Sequence, residues 1–143
     1  MARKAKVLTI TAVVTLSMAG TAVALVHQGF HGSIGVGHLQ IGTSFNAAGK
    51  PKSVDRVEWS NVPATCPSPF QISDEFKSVM KVDKHGKFHG KGPAVNNRNA
   101  TVKIRGRFKH HGKKVVGTFR MQGVAAGCSD LDTGVVDWSA TKR

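Results

Sequence analysis

The sequence predicts an all-β protein, a single small antiparallel β-barrel or β-sandwich of about seven or eight short strands and hairpins. Three observations lead there. Apolar and polar residues alternate over short runs, as in Leu39-Gln40-Ile41-Gly42-Thr43-Ser44-Phe45 and Val102-Lys103-Ile104-Arg105. Clusters of Gly, Pro, Asn, Asp and Ser recur between those runs. No stretch of useful length holds the apolar period of a helix.

The chain opens with Arg3, Lys4 and Lys6, followed by a run without charge from Val7 to Val26. Ala22-Val23-Ala24 then supplies the small residues of a cleavage site. A basic start, an apolar centre and an A-x-A end make a secretory signal peptide. The run is also about as long as a bilayer span, so an uncleaved signal would remain as an N-terminal anchor. Thr9, Thr11, Thr15 and Ser17 lower its hydrophobicity and favour removal after Ala24. The expected organisation is a signal peptide over residues 1–24, a flexible glycine-rich lead-in over 25–37, and an antiparallel β domain over 38–143. The expected location is secreted or in the cell envelope.

Within the domain, Leu39, Ile41, Thr43 and Phe45 share one face of a strand, and residues 46–52 carry turn chemistry. Val57 and Trp59 point one way in the next strand, with Arg56 and Glu58 opposite. Three prolines around Cys66 (Val62–Pro69) read as a loop or strand exit, since proline cannot donate to a ladder. Phe70–Asp74 reads as a short strand and Phe76–Val82 as another, although Ser73 followed by acids also resembles a helix cap. Asp83–Lys87 suits a three-residue hairpin loop with Gly86 left-handed. Phe88 marks the returning strand, and residues 92–100 a polar loop.

Thr101–Gln122 is the most fully specified stretch. With His111-Gly112 as a two-residue turn, Phe108 faces Val115, Gly106 faces Gly117, Ile104 faces Phe119 and Val102 faces Met121. The alternate face pairs Lys109 with Lys114, Arg107 with Val116, Arg105 with Thr118 and Lys103 with Arg120. A slip of one residue would bury Lys103, Arg105 and Arg107, so the register is strongly determined. Glycine weakens a strand, and the facing pair Gly106/Gly117 calls for an aromatic ring laid across it, from Trp138 or Trp59. After residues 123–127 break the pattern, Ser129–Gly134 reads as a turn. The last strand carries Val136, Trp138 and Ala140 inward.

Cys66 and Cys128 are the only cysteines. An even count in an exported chain argues for a disulfide, with two buried thiols the alternative. Closing that loop would contribute roughly 4 kcal/mol in the chain-entropy model.

The chain has 21 Lys and Arg against 8 Asp and Glu, and between Lys77 and Arg120 the only acid is Asp83. Lys103, Arg105, Arg107, Lys109, Lys114 and Arg120 fall on one outer face, the candidate docking surface for an anionic polymer or a membrane or cell-wall surface. The competing reading is a solvated face that blunts sheet aggregation. Sequence-specific nucleic-acid binding is not expected, since there is no recognition helix, no zinc-finger spacing and no outward aromatic.

His85, His89, His110 and His111 flank two turns but lack HExxH or Cys/His spacing, so no metal is expected. Asp130 and Asp132 lack the further ligands of a Ca²⁺ loop. Ser33 misses the G-x-S-x-G pattern by one place, and Gly35-Val36-Gly37 lacks the third glycine of a dinucleotide motif. Asp55 and Glu58 fall on opposite faces of their strand and form no acid/base pair. No catalytic residue and no cofactor are expected. The function that follows is non-enzymatic binding of a polyanion. The alternatives are an apolar ligand held in an interior cavity and a structural envelope protein without a specific ligand.

Gly86-Lys87-Phe88, the Val102–Phe108 strand, Val116-Gly117-Thr118-Phe119 and Cys128…Gly134…Trp138-Ser139-Ala140 together resemble a group of small secreted β-rich proteins of actinobacterial type. The likeness extends to Ile41–Phe45 and Cys66. It implies a paired disulfide and a closing Trp strand, and it carries no activity.

Overall fold

The computed structural model describes residues 25–66, 70–125 and 127–143, and every regular element among them is a strand. The expected signal peptide, residues 1–24, lies outside the described residues. In chain order the strands are β1 (Val26–Ile34), β2 (Gly37–Phe45), β3 (Pro51–Ala64), β4 (Phe70–Lys81), β5 (Lys87–Pro93), β6 (Ala100–Lys109), β7 (Lys114–Ala125), β8 (Cys128–Asp132) and β9 (Val136–Lys142). They form one antiparallel sheet in the order β4-β3-β2-β1-β9-β7-β6-β5, with β8 paired to β7 off that path. The sheet curls into a nearly closed barrel, because each strand alternates an apolar and a polar face and the apolar faces must meet.

The segment expected to be a flexible lead-in is instead β1, at the centre of the sheet. It pairs with β2 over its whole length and with β9 from Phe30↔Lys142 to Ile34↔Trp138. Phe30 and Ile34 are fully buried. Gly32 serves close approach rather than freedom. A Cβ on Gly32 would lie 2.5 Å from Ala140 Cα and overlap the Ser139 carbonyl oxygen. Composition alone cannot tell a glycine that loosens a chain from one that lets two strands touch.

Three further boundaries move. Strand β3 runs through Val62 and Pro63, because Asn61 (φ 57°) makes a bulge that shifts the register between Trp59 and Val62 and turns Val62 inward. Phe70–Lys81 is a single strand, so the helix-cap reading of Ser73 fails. Ser73 Oγ accepts the Asn61 N–H across the ladder instead. Within the expected 129–134 turn, Ser129–Asp132 extends from Cys128 as strand β8, and the turn narrows to the residues that follow.

The β6–β7 ladder has the expected pairs, from Val102↔Met121 through Gly106↔Gly117 to Lys109↔Lys114. His111 and Gly112 both have positive φ, and the Lys113 N–H donates to the His110 carbonyl, as a tight hairpin turn requires. His110 is left-handed as well (φ 51°), which ends the ladder at Lys109 and folds the tip inward. Gly112 is buried against the Phe45 ring and Pro51.

Trp138 lies across the paired glycines, as the sequence demanded. One row of the sheet reads Phe88, Gly106, Gly117, Trp138. The rings at its two ends lean over the two glycines between them. A Cβ on Gly117 would sit 2.7 Å from Trp138 Cζ2, and one on Gly106 2.9 Å from the same atom and 2.5 Å from Phe88 Cε1. Trp59 packs elsewhere, on Phe119 at 4.7 Å between ring centroids. Phe30, Phe45, Phe88, Phe108 and Trp138 meet across the interior at centroid separations of 5.6–6.4 Å.

Among the described residues, the one seam of the barrel without a ladder lies between β4 and β5. Side chains close it: a Cβ on Gly90 would be 2.8 Å from Phe76 Cε1, so the ring occupies the space glycine leaves. A buried carboxylate completes the closure. Asp74 Oδ1 accepts the Glu75 N–H at 2.8 Å, the Asn96 N–H at 3.0 Å and Asn96 Nδ2 at 2.9 Å. Its Oδ2 accepts the Asn97 N–H at 3.0 Å and Asn97 Nδ2 at 2.6 Å. Burial pushes this carboxyl up, but those bonds outweigh it and hold the group below its ordinary value. The β5–β6 loop is thereby pinned to β4.

Cys66 and Cys128 form a disulfide, with Cα atoms 5.7 Å apart. It ties the end of β3 to β8, beside the Thr65 N–H and Oγ1 bonds to the Asp132 carbonyl. Such a bond suits an oxidising compartment.

Candidate binding face

The outward residues of β5, β6 and β7 stand in register. Lys87 lies beside Arg107, His89 beside Arg105 and Lys91 beside Lys103. On the other flank Lys109 faces Lys114, Arg107 faces Val116, Arg105 faces Thr118 and Lys103 faces Arg120. This follows from simple alternation, since Phe88, Ile104, Gly106 and Phe108 take the inward positions. Lys103, Arg105, Arg107 and Lys109 are exposed, as are Lys87, His89 and Lys91, and Lys114 is half-buried.

Arg120 stands apart from the other five predicted residues. Its Nε and Nη2 donate to the two carboxylate oxygens of Asp132 at 3.0 and 2.7 Å. Asp132 also accepts Gln122 Nε2 at 3.1 Å and the Gly134 N–H at 2.8 Å. The Arg120 guanidinium, and after it the Gly134 and Gln122 donors, hold the Asp132 carboxyl down at about 2 against the opposing effect of burial. Arg120 therefore anchors β8 to β7 and has little left for a ligand. Lys87, His89 and Lys91 are the residues that sequence reasoning left out of the face. The signal was there, because Lys87-Phe88-His89-Gly90-Lys91 alternates around an apolar Phe88.

Among the described residues, no acid forms an ion pair with Lys87, Lys91, Lys103, Arg105, Arg107, Lys109 or Lys114. Most of the acids are engaged elsewhere. Glu75 binds Lys77 and Arg56, Glu58 binds Arg56, and Asp83 accepts the N–H groups of His85 and Lys87 in its own turn. An open depression of about 540 Å³ lies between Lys87, His89, Arg105, Arg107, Val116 and Thr118, floored by the backbone of Gly106 and Gly117. Neighbouring strands stand about 4.8 Å apart, so the paired cations stand close to one another, and among the described residues no ion pair to an acid relieves their repulsion.

Other constellations fall into place around this face. His85, His110 and His111 gather with Lys50, Lys52, Lys84 and Lys109 at one end of the barrel, while His89 stays on the side face. Among the described residues no three His, Cys, Asp or Glu side chains converge as a metal site requires. A cluster invisible in the sequence joins Ser44, Asp55 and His27. Ser44 Oγ donates to Asp55 Oδ2 at 2.7 Å and lies 3.1 Å from His27 Nδ1, which is itself 3.6 Å from the same carboxylate. The hydroxyl is spent on the carboxylate, and the imidazole meets both through a single nitrogen. The nucleophile–base–orienter chain of a hydrolase is not formed.

No family model, curated protein or solved structure matches the chain.

Proposed function

We propose that this is an exported, non-enzymatic binding domain that engages a polyanion of the envelope or extracellular space through the outer face of β5, β6 and β7. The observation that carries the reading is the run of seven Lys and Arg side chains across three adjacent strands with no acidic partner. Like charges opposite one another across strands are destabilising. A face meant only for solubility would intersperse acids and avoid that cost; a face meant for a polyanion recovers the cost on binding. The interior is crowded with aromatic rings, which supports a surface site over a cavity. Signal-peptide cleavage after Ala24 and the Cys66–Cys128 bond fit the same extracytoplasmic setting.

The test is chromatography on immobilised heparin and on neutral resin along a salt gradient. The protein should stay on heparin to well above the physiological ~0.15 M, and elute from neutral resin at once. A Lys103→Glu/Arg105→Glu/Arg107→Glu variant with an unchanged melting midpoint should leave heparin at much lower salt. Equal elution of variant and parent would defeat the proposal.

A further inference from the structure

Resting on that reading, the geometry points to the kind of polyanion: we infer that the face takes an extended polyol-phosphate polymer, laid along β6 with one phosphodiester to every second residue. Lys103, Arg105, Arg107 and Lys109 occupy four successive outward positions of one strand. Each step between them is two residues, six backbone bonds, and advances about 6.8 Å. A phosphodiester-linked three-carbon polyol also has six backbone bonds per charge, running P–O–C–C–C–O. Extended, it advances by nearly the same distance, so its phosphates stay in step with the cations. A 1,4-linked polyuronate advances one sugar ring per charge, which is shorter, and falls out of step within a few repeats.

The flanks agree with this placement. Each of the first three positions has a basic neighbour on β5: Lys91 beside Lys103, His89 beside Arg105, Lys87 beside Arg107. A phosphodiester with two free oxygens is then met from two sides. On β7 the middle neighbours are Thr118 and Val116, and Arg120 is held by Asp132. The track is therefore a two-stranded rail along β5 and β6, beside the depression between Lys87, His89, Arg105 and Arg107.

A single-stranded nucleic acid has the same six-bond backbone, and the surface discriminates against it. Binding of unpaired bases draws on aromatic rings for stacking. Among the described residues the large apolar side chains that are exposed are Leu25, Val26, Val36, Val79, Val124 and Val135, none of them aromatic. Phe88 and Phe108, the rings nearest the rail, face inward. What is left to recognise is charge at a fixed interval, and a bare polyol phosphate offers that and nothing more.

The experiment titrates the protein with synthetic 1,3-linked glycerol-phosphate oligomers of increasing length, and with oligogalacturonate and oligothymidylate of equal charge, at about 0.15 M salt. Affinity should rise about threefold with each added glycerol phosphate up to four repeats, then level off, since β6 has four cations in line. Arg105→Gln and Arg107→Gln should each weaken the tetramer several-fold. If length brings no gain, or oligogalacturonate binds as tightly, the spacing inference is wrong while polyanion binding stands. If oligothymidylate binds more tightly, the polymer is misassigned. If none of the three binds, the inference and the proposed function fall together.

Discussion

Replacing Gly106 by alanine probes the packing at the centre of the barrel. On an unobstructed strand the change would stabilise by about 0.5–1 kcal/mol, because alanine loses less backbone freedom on folding. Here the new methyl would lie 2.5 Å from Phe88 Cε1 and 2.9 Å from Trp138 Cζ2. Both rings are 3% exposed and cannot swing aside. Overpacking of this kind costs about 1–3 kcal/mol. The overlap wins, and the net loss should be about 1–2 kcal/mol, or roughly 5 °C in melting midpoint. Phe88→Leu removes the ring edge, and at ~0.8 kcal/mol for each of roughly three lost carbons it should cost about 2 kcal/mol by itself. In the double variant the methyl enters vacated space, so the two losses should fall short of additivity by about 1 kcal/mol. Urea unfolding of the four proteins, followed by tryptophan fluorescence, closes the cycle. A Gly106→Ala protein more stable than its parent, or strict additivity with Phe88→Leu, would refute the account of why two glycines face each other here.

The Asp74 clasp predicts a pH profile. Its folded pKa is lowered, so its contribution is fully present above the unfolded value near 4 and is lost as pH falls through the folded one. Asp132, held at about 2, acts in the same direction. The urea midpoint should therefore drop between about pH 4 and pH 2, and Asp74→Asn should lower the unfolding free energy at pH 7 by about 2–4 kcal/mol while flattening that drop. Arg120→Gln should loosen β8 on β7 and lower the melting midpoint yet leave heparin retention nearly unchanged, whereas Arg105→Gln should do the reverse; matching losses of retention would place Arg120 back in the face. Reduction of Cys66–Cys128 should cost roughly 4 kcal/mol in the chain-entropy model, read as a lower urea midpoint in reductant.

Much of this was legible in the sequence, and the reason is the strand period. Because side chains alternate with a period of two, the pairs from Val102↔Met121 to Lys109↔Lys114 follow from counting once the turn is placed, and so does the outward projection of Lys103, Arg105, Arg107 and Lys109. The same logic extends to the ring over Gly106 and Gly117, since a gap in an apolar face must be filled from somewhere.

Only the tertiary structure could decide what depends on long-range partners. Gly32 looks like flexibility until β9 lies against β1 and needs the room. Arg120 looks like its neighbours until Asp132, twelve residues on, takes two of its three guanidinium nitrogens. Asp74 gives no local sign that it will clasp a loop more than twenty residues away. Local order in a strand is set by the backbone pleat and can be read along the chain. Which charge is neutralised and which glycine is pressed is set by residues that meet only when the sheet curls shut.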